Sequence, residues 1–203
     1  MKNLSSGTIV LLLVIVVAAF LLYGYNRLVG LEEGVEAAWA QVENVYQRRA
    51  DLIPNLVATV KGARDFEQET LEKVVNARAR ATQTVIKGVP DAKQLQAFQE
   101  SQDALSSALS RLMVVVERYP ELKATEAFRD LQRQLEGTEN RIAVERRRFN
   151  EAARAFNTAR RRFPTNLIAG FFGFEAKPYF KATEGSEKPP TVDFGGKAPA
   201  ANF

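Results

Sequence analysis

The chain has 203 residues, enough for one domain with a sizeable core at about 100–200 residues per domain. It contains no cysteine and no histidine, which excludes disulfides, zinc sites built on thiolate or imidazole, and Ser-His or Cys-His nucleophilic machinery. Its 28 Lys and Arg against 24 Asp and Glu leave a net charge of +4, and where that excess sits matters more than its size.

Ile9 to Leu22 is an unbroken apolar run, and no charged residue falls between Asn3 and Asn26. A helix needs about 20 mostly apolar residues to cross a bilayer. The stretch from Gly7 to Tyr25 meets that length, with Tyr23 and Tyr25 at its end where interfacial aromatics belong. Ile9, Leu12, Val16, Phe20 and Tyr23 recur along it at helical spacing and are the candidate anchor residues. A cleaved signal peptide is the rival, but LLYGYNRL supplies no small-x-small cleavage site after the run. Residues 1–25 are therefore expected to be an uncleaved single-pass anchor. Basic residues on the two sides of the span nearly balance, Lys2 and the terminal amine against Arg27. The balance tips the N-terminus towards the cytoplasm and the rest of the chain to the outer side.

The following segments carry helical periodicity. From Asn26 to Lys87 an apolar stripe runs through Leu28, Leu31, Val35, Ala38, Val42, Val45, Leu52, Leu56, Ala63, Phe66, Val74 and Ala77. Pro54 interrupts it, at a cost of about 3 kcal/mol inside a helix. Two outcomes stay open: one long helix kinked at Pro54, because the register runs through it, or a reversal there. Gly88, Pro90 and Asp91 mark a turn, with Asp91 as N-cap of a helix to Tyr119. Its seam is Leu95, Phe98, Gln102, Leu105, Leu109, Leu112, Val116 and Tyr119. Pro120 closes it. The cleanest seam follows, at 128, 131, 135, 138, 142, 145, 149, 152, 156, 159 and 163, interrupted only by Thr138 and Glu145. This is the coiled-coil period sustained over five heptads. The fold class is all-α: an N-terminal transmembrane helix, then a long antiparallel bundle over residues 26–163, of three long helices with the first kinked at Pro54 or of four helices.

Phe163 to Phe180 reads FPTNLIAGFFGFEAKPYF, too broken for a long helix and too apolar for a free tail. Residues 164–184 are expected to cap the open end of the bundle, or alternatively to dock on a membrane or partner. Residues 185–203 are Pro/Gly-rich and expected to be disordered.

Several of these stretches together resemble the LemA family. They are YNRLVGLEEGVEAAWAQVENVYQRRADLIPNLVATVKG (Tyr25–Gly62), ERYPELKA (Glu117–Ala124), LQRQLEGTENRIAVERRRFNEAARAFN (Leu131–Asn157), and the closing FPTN…FGFEAKPYF. The resemblance covers about residues 8–181. It implies a single-pass protein of the bacterial cell (inner) membrane with a helical-bundle domain, and it brings no catalytic chemistry with it.

Within the matching stretches stand Arg48, Arg49, Asp51, Glu117, Tyr119, Glu139, Asn140 and Arg141. Arg49 and Glu145 fall on the apolar seams. Polar groups in such places fix helix register, and that reading is preferred to a catalytic or metal centre, since no Asp-x-Asp loop or histidine-bearing ligand motif exists. The whole +4 resides between Thr125 and Phe163, where ten arginines face six acids. Arg146, Arg147 and Arg148 repeat fourteen residues later as Arg160, Arg161 and Arg162, close to four helical turns and so on much the same face. A solvated face paired with acids of neighbouring helices is the plain reading. Anionic lipid headgroups are the next, and nucleic acid is disfavoured for want of a binding fold or exposed aromatics among the bases. No phosphate-binding glycine loop occurs, and no cofactor, metal or catalytic residue is expected.

The chain is thus expected to be a non-enzymatic envelope protein that acts by self-assembly as a scaffold, a homo-oligomer that could also hold other membrane proteins. The alternative is an adaptor for an envelope signalling or protein-quality-control system. The candidate contact residues are the two arginine triplets with Phe171, Phe172 and Phe174.

Overall fold

The computed structural model describes residues 6–64, 66–83, 86 and 88–181; the expected disordered tail lies outside them. Six helices occur in order: α1 (Ser6–Lys61), α2 (Gln68–Gln83), α3 (Ala92–Val116), α4 (Pro120–Ala124), α5 (Glu126–Arg161) and α6 (Thr165–Phe172). No strand occurs among the described residues, so the fold is all-α.

α1 is a single helix of 56 residues that passes through Pro54, so the chain does not reverse at the proline. The local reason is visible. Pro54 has no N–H to give the carbonyl of Ala50 four residues earlier. Arg78 on α2 supplies the missing donor, with Nε 2.8 Å from that carbonyl oxygen. The proline ring itself faces solvent.

The reversal comes instead after Lys61. The carbonyls of Thr59 and Val60 accept from the N–H groups of Gly62 and Ala63 at 3.3 and 3.0 Å, closing the last turn. The stretch from Asn26 to Lys87 therefore contributes two helices, and the bundle has four: the upper part of α1, α2, α3 and α5. α1 and α5 pair antiparallel along the whole domain. Asp91 caps α3 with a reciprocal capping box to Gln94, as its sequence suggests.

Two apolar cores are stacked along the bundle. The distal one joins Ile53, Leu56 and Val60 of α1 to Leu71 and Val74 of α2, Leu105 and Leu112 of α3, and Phe128 and Leu135 of α5. The one nearer the apolar N-terminal run is aromatic. Trp39 and Tyr46 of α1 meet Phe98 of α3, Phe149 and Phe156 of α5, and Phe180.

Between the cores lies a polar layer centred on Arg49, 2% exposed. Its Nη1 donates to Ser106 Oγ at 2.9 Å and to Glu139 Oε2 at 3.0 Å. Its Nη2 donates to Gln102 Oε1 at 2.6 Å, and Gln102 in turn donates to the Ala81 carbonyl at 3.3 Å. One residue thus ties α1, α3 and α5 together, with α2 reached through Gln102. A buried charge held by this many acceptors fixes one register, because any slip strands it in an apolar layer.

Candidate functional site

The end of the bundle next to the apolar N-terminal run is where the chain's unusual features converge. Residues 9–22 of α1 are exposed along their full length, and α1 is long enough, and apolar enough over an 18-residue window near its start, to cross a membrane. All five candidate anchor residues are uncovered by the rest of the chain: Ile9, Leu12, Val16, Phe20 and Tyr23 are each at least 41% exposed. Where the apolar run ends, α6 crosses against α1. Gly24 is the contact point: a Cβ there would lie 2.3 Å from Ile168 Cδ1, so only glycine admits the helix this closely without moving Ile168. Tyr25 stacks on Phe172 and Phe174, ring centroids 4.7 and 5.8 Å apart.

After α6, Gly173 takes a left-handed conformation, φ 75°, which glycine adopts at little cost. The chain then returns along the bundle as an extended strap, residues 174–181. Two asparagines of α5 receive it. Asn157 Nδ2 donates to the Lys177 carbonyl at 2.8 Å while Asn157 Oδ1 accepts from the Lys177 N–H at 2.9 Å. Asn150 does the same with Phe180, at 3.1 and 2.9 Å. The spacing is geometric: seven helical residues rise about 10.5 Å, and three extended residues cover about 10 Å. Each side-chain amide therefore mimics a peptide group and pairs with every third residue of the strap. Phe180 is thereby set into the aromatic core, stacked on Trp39 and edge-on to Phe149.

The arginine triplets divide by task. Arg146 Nη2 donates to the Lys181 carbonyl at 2.9 Å and its guanidinium lies over the Phe180 ring at 4.7 Å. Arg160 Nε donates to the Phe174 carbonyl at 2.6 Å. The first member of each triplet thus clamps the strap. Arg147 and Arg148 lean on acids of their own helix, Glu151 at 4.0 Å and Glu145 at 2.8 Å, not on those of neighbouring helices. Arg161 and Arg162 are exposed. Of the three candidate phenylalanines, Phe174 is half-buried on Phe156, Phe172 is held by Tyr25, and Phe171 is 84% exposed.

Of the polar residues singled out in the matching stretches, the structure brings Arg49 and Glu139 together across the bundle. Asp51 accepts from Gln47, Glu117 pairs with Lys123, and Tyr119 stacks on Phe66; Arg48, Asn140 and Arg141 face solvent. Asn150 and Asn157 were not singled out by the sequence. Their seven-residue spacing on one helix face was the available signal.

Two titratable groups beside the aromatic core are shifted. Burial pushes the Glu43 carboxyl up, opposed by the nearby Trp39 indole N–H. Burial also raises the Tyr46 phenol, opposed by the positive charges of Arg146 and Arg49. No group of three or more Asp or Glu that could hold a metal occurs among the described residues.

The model of the LemA family matches residues 38–194, which is most of the chain. The magnetosome proteins MamQ 1 and MamQ 2 of Paramagnetospirillum magneticum are each 26% identical to it over 213 residues, covering 93% of this chain and 78% of theirs.

Proposed function

The chain belongs to the LemA family, and from that premise we propose that it is a non-enzymatic scaffold of a bacterial inner membrane that works by associating with copies of itself. The observation that carries this reading is the unbroken course of α1 from the apolar segment into the bundle. A helix without a flexible joint transmits the orientation of the span to the whole domain. Neighbouring copies in one membrane then present their side faces to each other in a fixed attitude, which favours closed, symmetric assembly.

The outer face of α2 and α3 suits a second copy. Val114 is 71% exposed on a shallow groove lined by Ala77, Ala104, Ser107 and Ala108 between the bases Lys73, Arg80 and Arg111. Small residues allow close approach of another helix. The magnetosome proteins that resemble this chain carry a name that states no reaction, which agrees with a role in assembly. The bundle is proposed to stand on the outer side of the membrane. Arg129→Cys on the exposed side of α5, in this cysteine-free chain, would then react with an impermeant thiol reagent in intact spheroplasts, whereas protection until lysis places it in the cytoplasm.

The assembly reading is tested by native mass spectrometry of the full chain in detergent and of a shortened chain beginning at Asn26. A discrete oligomer of the full chain, reduced by Val114→Asp, supports it. Single copies in both samples contradict it and favour an adaptor that binds a different protein.

A further inference from the structure

We propose that α6 is a second membrane contact: a short helix seated in the surface layer of the same bilayer that the N-terminal segment enters, with the arginines at the end of α5 meeting anionic headgroups beside it. This rests on the reading of residues 7–25 as a membrane span and is independent of self-assembly.

α6, TNLIAGFF, contains no charged residue. Its inner side is spent on the protein, where Ile168 and Ala169 are buried against α1 and α5. Leu167 and Phe171, one turn apart on its outer side, are 64% and 84% exposed, Phe172 is 52% exposed, and Phe163 just before the helix is 80% exposed; Asn166 is the exposed polar side chain among them. A short helix that keeps large apolar side chains on both faces belongs in an apolar environment on both sides, and the bundle supplies only one of them.

The position of α6 names the occupant of the other. It touches α1 at Gly24 and Tyr25, two to three residues past the end of the run Ile9–Leu22, which is about 3–5 Å along the helix axis. The residues from Gly7 to Tyr25 span about 28 Å at 1.5 Å each, close to the roughly 30 Å hydrocarbon thickness of a bilayer. A span seated by that length puts α6 at the hydrocarbon–headgroup boundary, continuous with the apolar surface of α1.

The charge around it fits the same level. Arg27 lies two residues past Tyr25, and Arg154 of α5 and Arg162 just past its end line one groove with it. Glu151 also lines that groove, so the cluster is three bases to one acid, and Arg161 stands exposed beside it. Bases just above an apolar insertion are the arrangement by which interfacial helices select anionic lipid. Clamping of the strap by Arg160 and Asn157 holds the chain just past the C-terminal end of α6, and Ile168 pins the helix against Gly24, so it is presented to the bilayer already folded.

The absence of cysteine from the chain makes spin labelling clean. Labels would be placed singly through Leu167→Cys and Phe171→Cys in the full-length protein, reconstituted in nanodiscs of phosphatidylcholine with or without a quarter phosphatidylglycerol. Val16→Cys reports the span and Arg129→Cys the distal surface. The expected result is oxygen accessibility well above that of a water-soluble nickel reagent at 167 and 171, matching the Val16 label in sign, with the excess larger when phosphatidylglycerol is present. High nickel accessibility at 167 and 171 while the Val16 label reads as lipid overturns the proposal and leaves the span intact. Low accessibility to both reagents also overturns it, since that signature means burial against protein. An aqueous reading at Val16 would instead reject the span itself.

Discussion

Arg78 and Pro54 should be energetically coupled although their side chains lie on different helices. The carbonyl of Ala50 is buried, with its residue 4% exposed, and the proline deprives it of its helical donor. Arg78 Nε fills that vacancy at 2.8 Å. Leaving a buried acceptor unpaired costs about 1–3 kcal/mol, and donors on charged groups contribute towards the upper end of that range. Arg78→Ala should therefore destabilise the protein by about 2 kcal/mol, or roughly 4–8 °C in Tm for a chain of this size. In a Pro54→Ala background residue 54 can donate to Ala50 itself, and the same Arg78→Ala change should cost less than half as much. The assay is a double-mutant cycle by urea unfolding followed by helical circular dichroism, requiring unchanged m-values. A coupling of about 1 kcal/mol or more is expected. Equal costs in both backgrounds would refute the reasoning, because Arg78 would then act only through the packing of its stem.

Three further perturbations probe other parts of the fold. Arg49→Ala removes the hub of the polar layer and should cost about 3–5 kcal/mol, whereas pairing Arg49→Met with Gln102→Leu should recover most of it; a melting series decides, and a loss below about 1 kcal/mol would mean the layer is not needed. Phe180→Ala empties the strap's place in the aromatic core, with a cost of roughly 3–5 kcal/mol. Hydrogen exchange should then rise at 177–181 first, and uniform acceleration through α5 instead would contradict the strap as a separable latch. Burial raises the Glu43 carboxyl above its ordinary value of 4.5, so the folded state holds that proton more tightly than the unfolded chain does. Stability should fall as pH rises from about 4.5 through the folded-state value and level off above it. Glu43→Gln should flatten that segment of the Tm-against-pH curve, and an unchanged curve would assign the slope to another group.

The seams were legible in the sequence because burial on a helix face imposes a period that side chains must obey. Phe128, Leu131, Leu135, Thr138, Ile142, Phe149, Phe156 and Ala159 are all buried. The seam nonetheless slips once, since Ala153 is fully buried and Ala152 only partly so. A helix of 3.6 residues per turn drifts about 20° per heptad from a strict seven-residue repeat, and after three heptads the next residue takes the inward place. Phe163 lies past the end of α5 and is 80% exposed, so its fit to the seam was a coincidence of spacing. The turn at Gly62 was hidden because Ala63 and Phe66 keep the apolar phase on both sides of it. The helix through Pro54 needed a donor from α2, and the strap needed two side-chain amides on α5. Both depend on contacts 20 to 30 residues apart in the chain, which no local period encodes. At the candidate site the pattern exposed the arginine triplets and the phenylalanines. It could not say that Arg146 and Arg160 face the strap while Arg161 and Arg162 stay open, since that division follows from where residues 174–181 run.

Self-association in the membrane is tested most directly by counting copies per particle without detergent. Membranes would be solubilised into polymer-bounded nanodiscs and the particle mass read in single-molecule mass measurements, after subtraction of the lipid and polymer contribution. The expected result is a dominant species at a fixed multiple, two or greater, of the 22.6 kDa chain, unchanged when expression is lowered. A distribution dominated by single copies at every expression level would contradict the scaffold.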